Sequence, residues 1–341
     1  MKKKVTIYDI AETAGVSPAS VSRMIHQPEI VTEKTKNKIL KAFQEHGIRP
    51  EDLSVRKKET AQTTVRSTAP TDVILVCLPS WDNPFYDNIL QGISDYLTTV
   101  HYHMVVTTEL TARSSVNIFL NYCASLRVRG IISLLPFSVE TLLHLKAFYP
   151  VVQCSEYNPL CPEVPYVSVD DYAASLEAVR FLCRKGCKKI GFFCASRQYR
   201  YVQNRYRAYE TILQEYDLVI RPEYTVTVAD FSYSRILHAA GHFFQIADPP
   251  DAIFATSDKH AHAVIKAAQT TGISVPGDVR VFGFDNSMYA TLSTPAISTV
   301  EQPQREIGLK SARMLISMIR QPSVPVKSEL LDTRILIRES T

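Results

Sequence analysis

Residues 6–26 place two short amphipathic segments on either side of a glycine, and this arrangement leaves the amino-terminal end few ways to fold. In Thr6-Ile7-Tyr8-Asp9-Ile10-Ala11-Glu12-Thr13-Ala14-Gly15, positions 7, 10, 11 and 14 share one helical face. Thr6 is a natural N-cap with Asp9 three residues on, approximating a capping box, and Gly15 supplies the turn. A second helix opens at Ser17-Pro18, a serine cap followed by proline at the first helical position, where a missing N–H costs nothing. Val21 and Ile25 are spaced to pack inward, and the outer face is small, hydroxyl-rich and marked by Arg23. A third helix is capped by Thr32, carries Ile39, Leu40 and Phe43, and ends at Gly47. The pattern predicts a helix-turn-helix, because a helix that enters a major groove about 12 Å wide must present small side chains near its start. The alternative is a three-helix bundle that binds protein.

Charge placement favours the first reading. The chain has a formal net charge of +4, and its first 60 residues hold 12 basic against 8 acidic side chains, so the remainder is balanced. The excess lies where a polyanion would bind.

The string VTIYDIAETAGVSPASVSRMIHQPEIVTEKTKNKIL resembles the headpiece of LacI/GalR-type (lactose/galactose repressor) transcription regulators. The resemblance implies that Ser17, Pro18, Ala19, Ser20, Ser22 and Arg23 lie on the recognition helix, with Pro18 and Ala19 at positions that choose operators. It implies phosphate contacts for Thr6, Tyr8, Thr32 and Thr35, and places His26 where many members carry asparagine. Such members continue into a short hinge helix whose leucine wedges into the minor groove. Here Pro50 is kept, but Glu51, Ser54, Val55 and Lys57 replace the expected residues, so little kinking of DNA is expected. The polar, threonine-rich stretch 58–71 has no periodicity and reads as a flexible linker. The expected organisation is a headpiece with an atypical hinge at 1–57, the linker, and a core at 72–341.

In the core, short apolar runs alternate with amphipathic helices. The runs include 73–78, 130–135, 150–153, 189–193, 252–255 and 280–284; the helices include 85–99, 113–126, 170–185, 203–216, 232–245 and 258–271. This alternation predicts an α/β fold of parallel sheets with helices on both faces, and eight or more strands suit two doubly wound subdomains. Ligands of such sheets sit beyond the carboxyl ends of the strands. The candidates there are Trp81, Asp82 and Phe85 after the first strand, then Glu156, Arg205, Ser257 and Asp285. Carboxylates that accept hydroxyls, a guanidinium fork and aromatic platforms suit a polyhydroxylated ligand. Plainer roles are a helix charge for Arg205, a cap for Asp285 and core packing for Trp81. The strings NRYRAYETIL, AIFATSDKHAHAVIKA and GDVRVFGFDNS resemble landmarks of the same family's periplasmic-binding-protein-like core. That resemblance implies effector contacts for Arg205, Ser257 and Asp285; Arg205 and Asp285 should face the same ligand hydroxyls, so that Asp285→Ala would leave Arg205 unpaired. It also implies a first subdomain of about 72–167 with 295–324 and a second of about 168–294 with 325–341.

Rival classes fit poorly. No nucleotide-binding glycine loop follows a strand, glycine occurs only 11 times, and no nucleophile elbow or zinc-protease signature is present, so neither an enzyme nor a cofactor is expected. His260 and His262 fall on a helix without partners of ligand type. The seven cysteines form no C-x-x-C pair and read as buried structural thiols. No run approaches the ~18 apolar residues of a membrane span. Polar residues follow the basic start, so a cytoplasmic location is expected, which disfavours an exported binding protein. The expectation is a regulator, a repressor by resemblance, that binds a pseudo-palindromic DNA operator as a homodimer and responds to a sugar.

Overall fold

The computed structural model describes residues 5–26, 31–50, 72–229 and 232–341. The hinge residues after Pro50 and the 58–71 linker lie outside the described residues, as do Lys2, Lys3, Lys4 and the side chain of His26. The chain divides into two compact units, Met1–Pro70 and Thr71–Thr341.

The first unit contains α1 (Ile7–Ala14), α2 (Pro18–His26) and α3 (Glu33–Glu45). The capping box forms: Asp9 Oδ2 accepts the Thr6 N–H at 2.6 Å, and Thr6 Oγ1 accepts the Asp9 N–H at 3.4 Å. Gly15 adopts φ 61° and ends α1 in the left-handed conformation. Ile10, Ala11, Val21, Ile39, Ala42 and Phe43 build the small core. Two details depart from the sequence reading. Leu40 is 41% exposed, because Ile39 and Phe43 already define the inward face and Leu40 lies a further 100° round the helix. Thr32 occupies the N-cap position of α3, but its hydroxyl bonds Thr35 Oγ1 at 3.0 Å instead of a main-chain N–H.

The second unit holds two six-stranded sheets. The first consists of β1 (Val73–Cys77), β2 (His103–Thr107), β3 (Val128–Ser133), β4 (Val151–Cys154), β5 (Tyr166–Val169) and β11 (Glu329–Leu331), in the order β11-β5-β4-β3-β1-β2. The second consists of β6 (Ile190–Cys194), β7 (Thr225–Thr227), β8 (Ala252–Ala255), β9 (Arg280–Asp285), β10 (Ser298–Glu301) and β12 (Arg334–Leu336), in the order β12-β10-β9-β8-β6-β7. Every pairing is parallel except β10 with β12. The helices are α4 (Phe85–Thr99), α5 (Val116–Ser125), α6 (Val139–Lys146), α7 (Asp171–Arg184), α8 (Arg200–Glu215), α9 (Tyr233–Ala240), α10 (Asp258–Thr270), α11 (Met288–Leu292) and α12 (Gln304–Arg320).

Both faces of each sheet are covered, which is why the strands read as continuous apolar runs. Along β1, Ile74 and Val76 join the core under α4 and α12, while Leu75 and Cys77 join the opposite core with Phe119 and Leu142. Phe192 and Phe193 divide in the same way between the two faces of the second sheet. All seven cysteines are buried free thiols.

The α4–α12 contact is unusually close. A Cβ on Gly92 would fall 2.0 Å from the Arg305 carbonyl oxygen, and one on Gly308 would fall 2.0 Å from that of Ile89. Glycine is required at both positions for the two helix backbones to meet.

The chain passes between subdomains after β5, after β10 and after β11. These passages correct the expected boundaries. Residues 298–301 pair with β9 and belong to the second subdomain, whereas 329–331 pair with β5 and belong to the first.

Candidate functional site

Two surfaces carry the polar groups singled out above. On α2, Pro18, Ala19 and Arg23 are exposed, as are Ser17 before it, Thr6 and Tyr8; Ser20, Ser22 and Thr35 are half-buried and Thr32 is exposed. Positions 18, 19, 22 and 23 form one helical stripe opposite buried Val21 and Met24. Ser17 Oγ accepts the Ser20 N–H at 3.2 Å and meets Ser20 Oγ at 2.9 Å, so these two hydroxyls already fix the start of the helix. Thr13 Oγ1 and His46 Nε2 meet at 2.7 Å and tie α1 to the end of α3. The result is a rigid support under a small, partly cationic face.

The second surface is a cleft between the carboxyl ends of the two sheets, lined from both subdomains. The loop after β1 contributes Asn83, the start of α4 contributes Phe85 and Tyr86, and the segment just beyond β4 contributes Glu156. From the second subdomain come Tyr199, Tyr201 and Arg205 around α8, Ser257 and His260 after β8, and Asp285 ending β9. The structure therefore brings Phe85, Glu156, Arg205, Ser257 and Asp285 around one space. Trp81 and Asp82 do not line it. Trp81 is 60% exposed on the preceding loop, and Asp82 is engaged through its main chain, its N–H donating to Ser80 Oγ at 3.0 Å and its carbonyl oxygen accepting from Lys259 Nζ. The helix start, set by Asn83 Oδ1 accepting the Phe85 N–H at 3.2 Å, turns Phe85 and Tyr86 inward in their place.

Arg205 is held differently from the expectation. Its Nε and Nη2 both donate to Asp171 Oδ1, at 3.0 and 2.7 Å, and Nη1 donates to the Thr256 carbonyl at 2.5 Å. The guanidinium lies between the rings of Phe284, 3.4 Å from its centroid, and Tyr201, at 4.7 Å. Asp285 Oδ1 stands 3.9 Å from Nη1 and accepts from Gln302 Nε2 at 2.8 Å. Asp171 is thus the principal partner of Arg205, so removing Asp285 would not leave the arginine unpaired.

Asp285 and Asn286 adopt φ of 112° and 54°, a left-handed pair of side-chain-bearing residues at the cavity wall. Burial holds the Asp285 carboxyl well above the usual carboxylate range despite Arg205. Neighbouring Asp258 is pushed to about 7, also by burial, and accepts from Thr299 Oγ1 and the Ser287 N–H, both at 2.6 Å. Burial likewise lifts Glu156 to about 7, against the pull of Arg200. His260 was set aside in the sequence, yet it faces the cavity. Burial, then Lys259, lowers it to about 3, so the ring is neutral; Ser257 Oγ meets Nδ1 at 2.7 Å, and buried Nε2 has no partner among the described residues. Tyr86 and Tyr201 are also kept neutral by burial. The lining combines hydroxyl and imidazole groups, carboxyls whose pKa burial raises, and ring faces. Among the described residues, no group of three or more His, Cys, Asp or Glu side chains is arranged for a metal, and no helix is long and apolar enough to cross a membrane.

A helix-turn-helix preceding a two-sheet cleft defines the class of DNA-binding regulators with a ligand-binding core. Residues 6–51 match bacterial regulatory proteins of the lacI family, and 179–341 match the periplasmic binding protein-like domain. The chain is 30% identical to catabolite control protein A of Priestia megaterium over 99% of both chains. It is 28% identical to the HTH-type transcriptional repressor CytR of Escherichia coli K12, over 98% of this chain and 96% of that one. Its fold matches a solved transcriptional regulator CelR-cellobiose complex with a TM-score of 0.70, at 23% identity over 99% and 100% of the two chains. The chain belongs to the lacI family of bacterial regulatory proteins and is a DNA-binding transcription regulator.

Proposed function

We propose that this regulator is a repressor that binds a pseudo-palindromic operator as a homodimer and is controlled by a sugar held between the subdomains. The observation that carries the reading is the cavity itself, where buried Glu156 and Asp285 face Tyr86, Tyr201 and His260 beyond the strand ends. Such groups accept and donate hydrogen bonds to hydroxyls while the rings cover C–H faces. The CelR complex with cellobiose supports the ligand class, and CytR, a repressor by name, supports the direction of control. One headpiece covers little DNA, which supports two half-sites placed by a two-fold axis. Residues 58–71 serve as the tether. The chain acts in the cytoplasm and catalyses no reaction in this role.

The test is fluorescence anisotropy of the full-length protein on a fragment from its own upstream region, with and without cellobiose, ribose and related sugars. Arg23→Ala should cost about 1–3 kcal/mol on the operator and much less on random duplex. Equal losses on both duplexes would reduce Arg23 to a phosphate contact. A protein with no sequence preference at all would overturn the reading.

A further inference from the structure

Helix α8 begins without a cap of its own. Its N-cap residue, Tyr199, makes no side-chain capping bond, and its first turn contains no acidic residue. The N–H groups left over at a helix start need an acceptor, and here it arrives from the other subdomain. Glu156, two residues beyond β4, accepts the Arg200 N–H at 2.6 Å and the Tyr201 N–H at 3.4 Å. The backbone aims it there, because Ser155 takes φ 65° and the Glu156 N–H folds back onto the Cys154 carbonyl at 2.8 Å.

The first residue of α8 reaches the opposite way. The Arg200 side chain is one-tenth exposed and lies over the Tyr157 ring, 3.9 Å from its centroid. Tyr157 is stacked on Tyr166 of β5, with centroids 3.7 Å apart. Arg200 Nη2 donates to Asp171 Oδ2 at 2.7 Å and, at longer range, to the Ser155 carbonyl at 3.4 Å and Ser168 Oγ at 3.5 Å. Its Nε and Nη1 have no acceptor among the described residues. Arg200 is therefore anchored firmly to Asp171, at the first passage between subdomains, and only loosely to the first sheet.

We propose that Glu156 and Arg200 form a reciprocal latch between the two subdomains, in which each side fastens the other's loop or helix end. Opening the cleft uncaps α8 and unstacks Arg200 from Tyr157 in one movement. Glu156 also lines the cavity, so an occupant that engages its carboxylate competes directly with the α8 N-terminus. Glu156 and Arg200 are positioning residues that set how strongly occupancy is coupled to subdomain movement. This consequence rests on the cavity being the effector site; the latch itself does not.

The experiment uses hydrogen-exchange mass spectrometry on the full-length protein without any sugar, so its failure would leave the effector reading intact. In Glu156→Ala, amides 200–203 should exchange about tenfold faster. A purely local cap would stop there, whereas a latch also speeds exchange at the passages 168–171 and 302–304. Glu156→Gln, which keeps an acceptor oxygen, should restore most of the protection. Arg200→Lys keeps a cation beside Asp171 but loses the flat stack, and should raise exchange at 155–158 severalfold with little change in the unfolding midpoint. Faster exchange confined to 200–203, or none at 155–158 in Arg200→Lys, would overturn the latch.

Discussion

The headpiece and the core solve the same problem, holding polar groups ready for a partner, in opposite ways. Among the described residues, the buried interior of the headpiece is apolar, and the face proposed to read DNA stands outside it on α2. In the core the groups that face the cavity are themselves interior, with Arg205, Asp285 and Glu156 each 5% exposed or less. With α2 as the proposed recognition helix, exposed residues such as Pro18 and Ala19 could change with little effect on the fold, leaving DNA preference free to drift. With the cavity as the proposed effector site, changing Arg205 or Asp285 would alter both ligand contacts and packing, so specificity in the core would be tied to stability.

The sharpest way to break this contrast is Asp171→Ala. It would leave two buried guanidinium groups without their carboxylate, and the core should lose about 3–5 kcal/mol in urea unfolding while α1–α3 keep their exchange protection. A loss typical of a surface pair would mean that the core charges are not load-carrying in the way the contrast requires.

Titration sharpens it further. Glu156 has a folded pKa of about 7 against an ordinary 4.5. The folded state therefore holds its proton more tightly, and stability relative to Glu156→Gln is greatest below pH 4.5. It should fall by roughly 3 kcal/mol as the pH rises from 4.5 to 7 and stay level above. A flat difference between the two proteins across that window would show a carboxyl that is solvated like a surface group.

Gly308→Ala tests packing without charge. The added methyl meets the Ile89 carbonyl, and forcing α4 and α12 apart should cost about 1–3 kcal/mol, read as a lower core melting temperature. The smallest effect belongs to the headpiece. Thr6→Ala removes one half of the capping box and should cost about 1 kcal/mol there, seen by exchange in α1 with the core unaltered.

The contrast also explains what could be read from the sequence. Thr6, Asp9, Gly15 and Ser17-Pro18 act within a turn of the residues they control, so α1 and the start of α2 were legible, while α3 showed itself through the spacing of Ile39 and Phe43. The long apolar strands β1, β6 and β9 were legible for a related reason, since burial on both faces leaves a continuous run. The three-residue strands β7, β11 and β12 were not, because they exist only through partners elsewhere in the chain. The site followed the same rule. Polar residues just past strand ends pointed to Glu156, Arg205 and Asp285, but the pairing of Arg205 with Asp171 spans 34 positions and left no local trace. Tyr86, Tyr201 and Arg200 escaped notice because helix-borne rings and charges look alike whether they face solvent or a cleft. For His260 a signal did exist: Ser257 three residues earlier is an N-cap whose hydroxyl can reach the imidazole ring.

The first sheet is written in two distant pieces, and this matters while the chain is being made. β5 ends at Val169, but the β11 strand that flanks it and the α12 helix that covers β3 and β4 come from residues 304–331. At about 5–20 residues per second, the ribosome needs roughly 10–30 s to deliver them. Throughout that interval Ile89, Ile93 and Ile132, later sealed by Ile307 and Leu315, have no lid. The nascent first subdomain should therefore be a client of chaperones that shield apolar surface, whereas the headpiece, local in all its contacts, can fold as soon as it emerges.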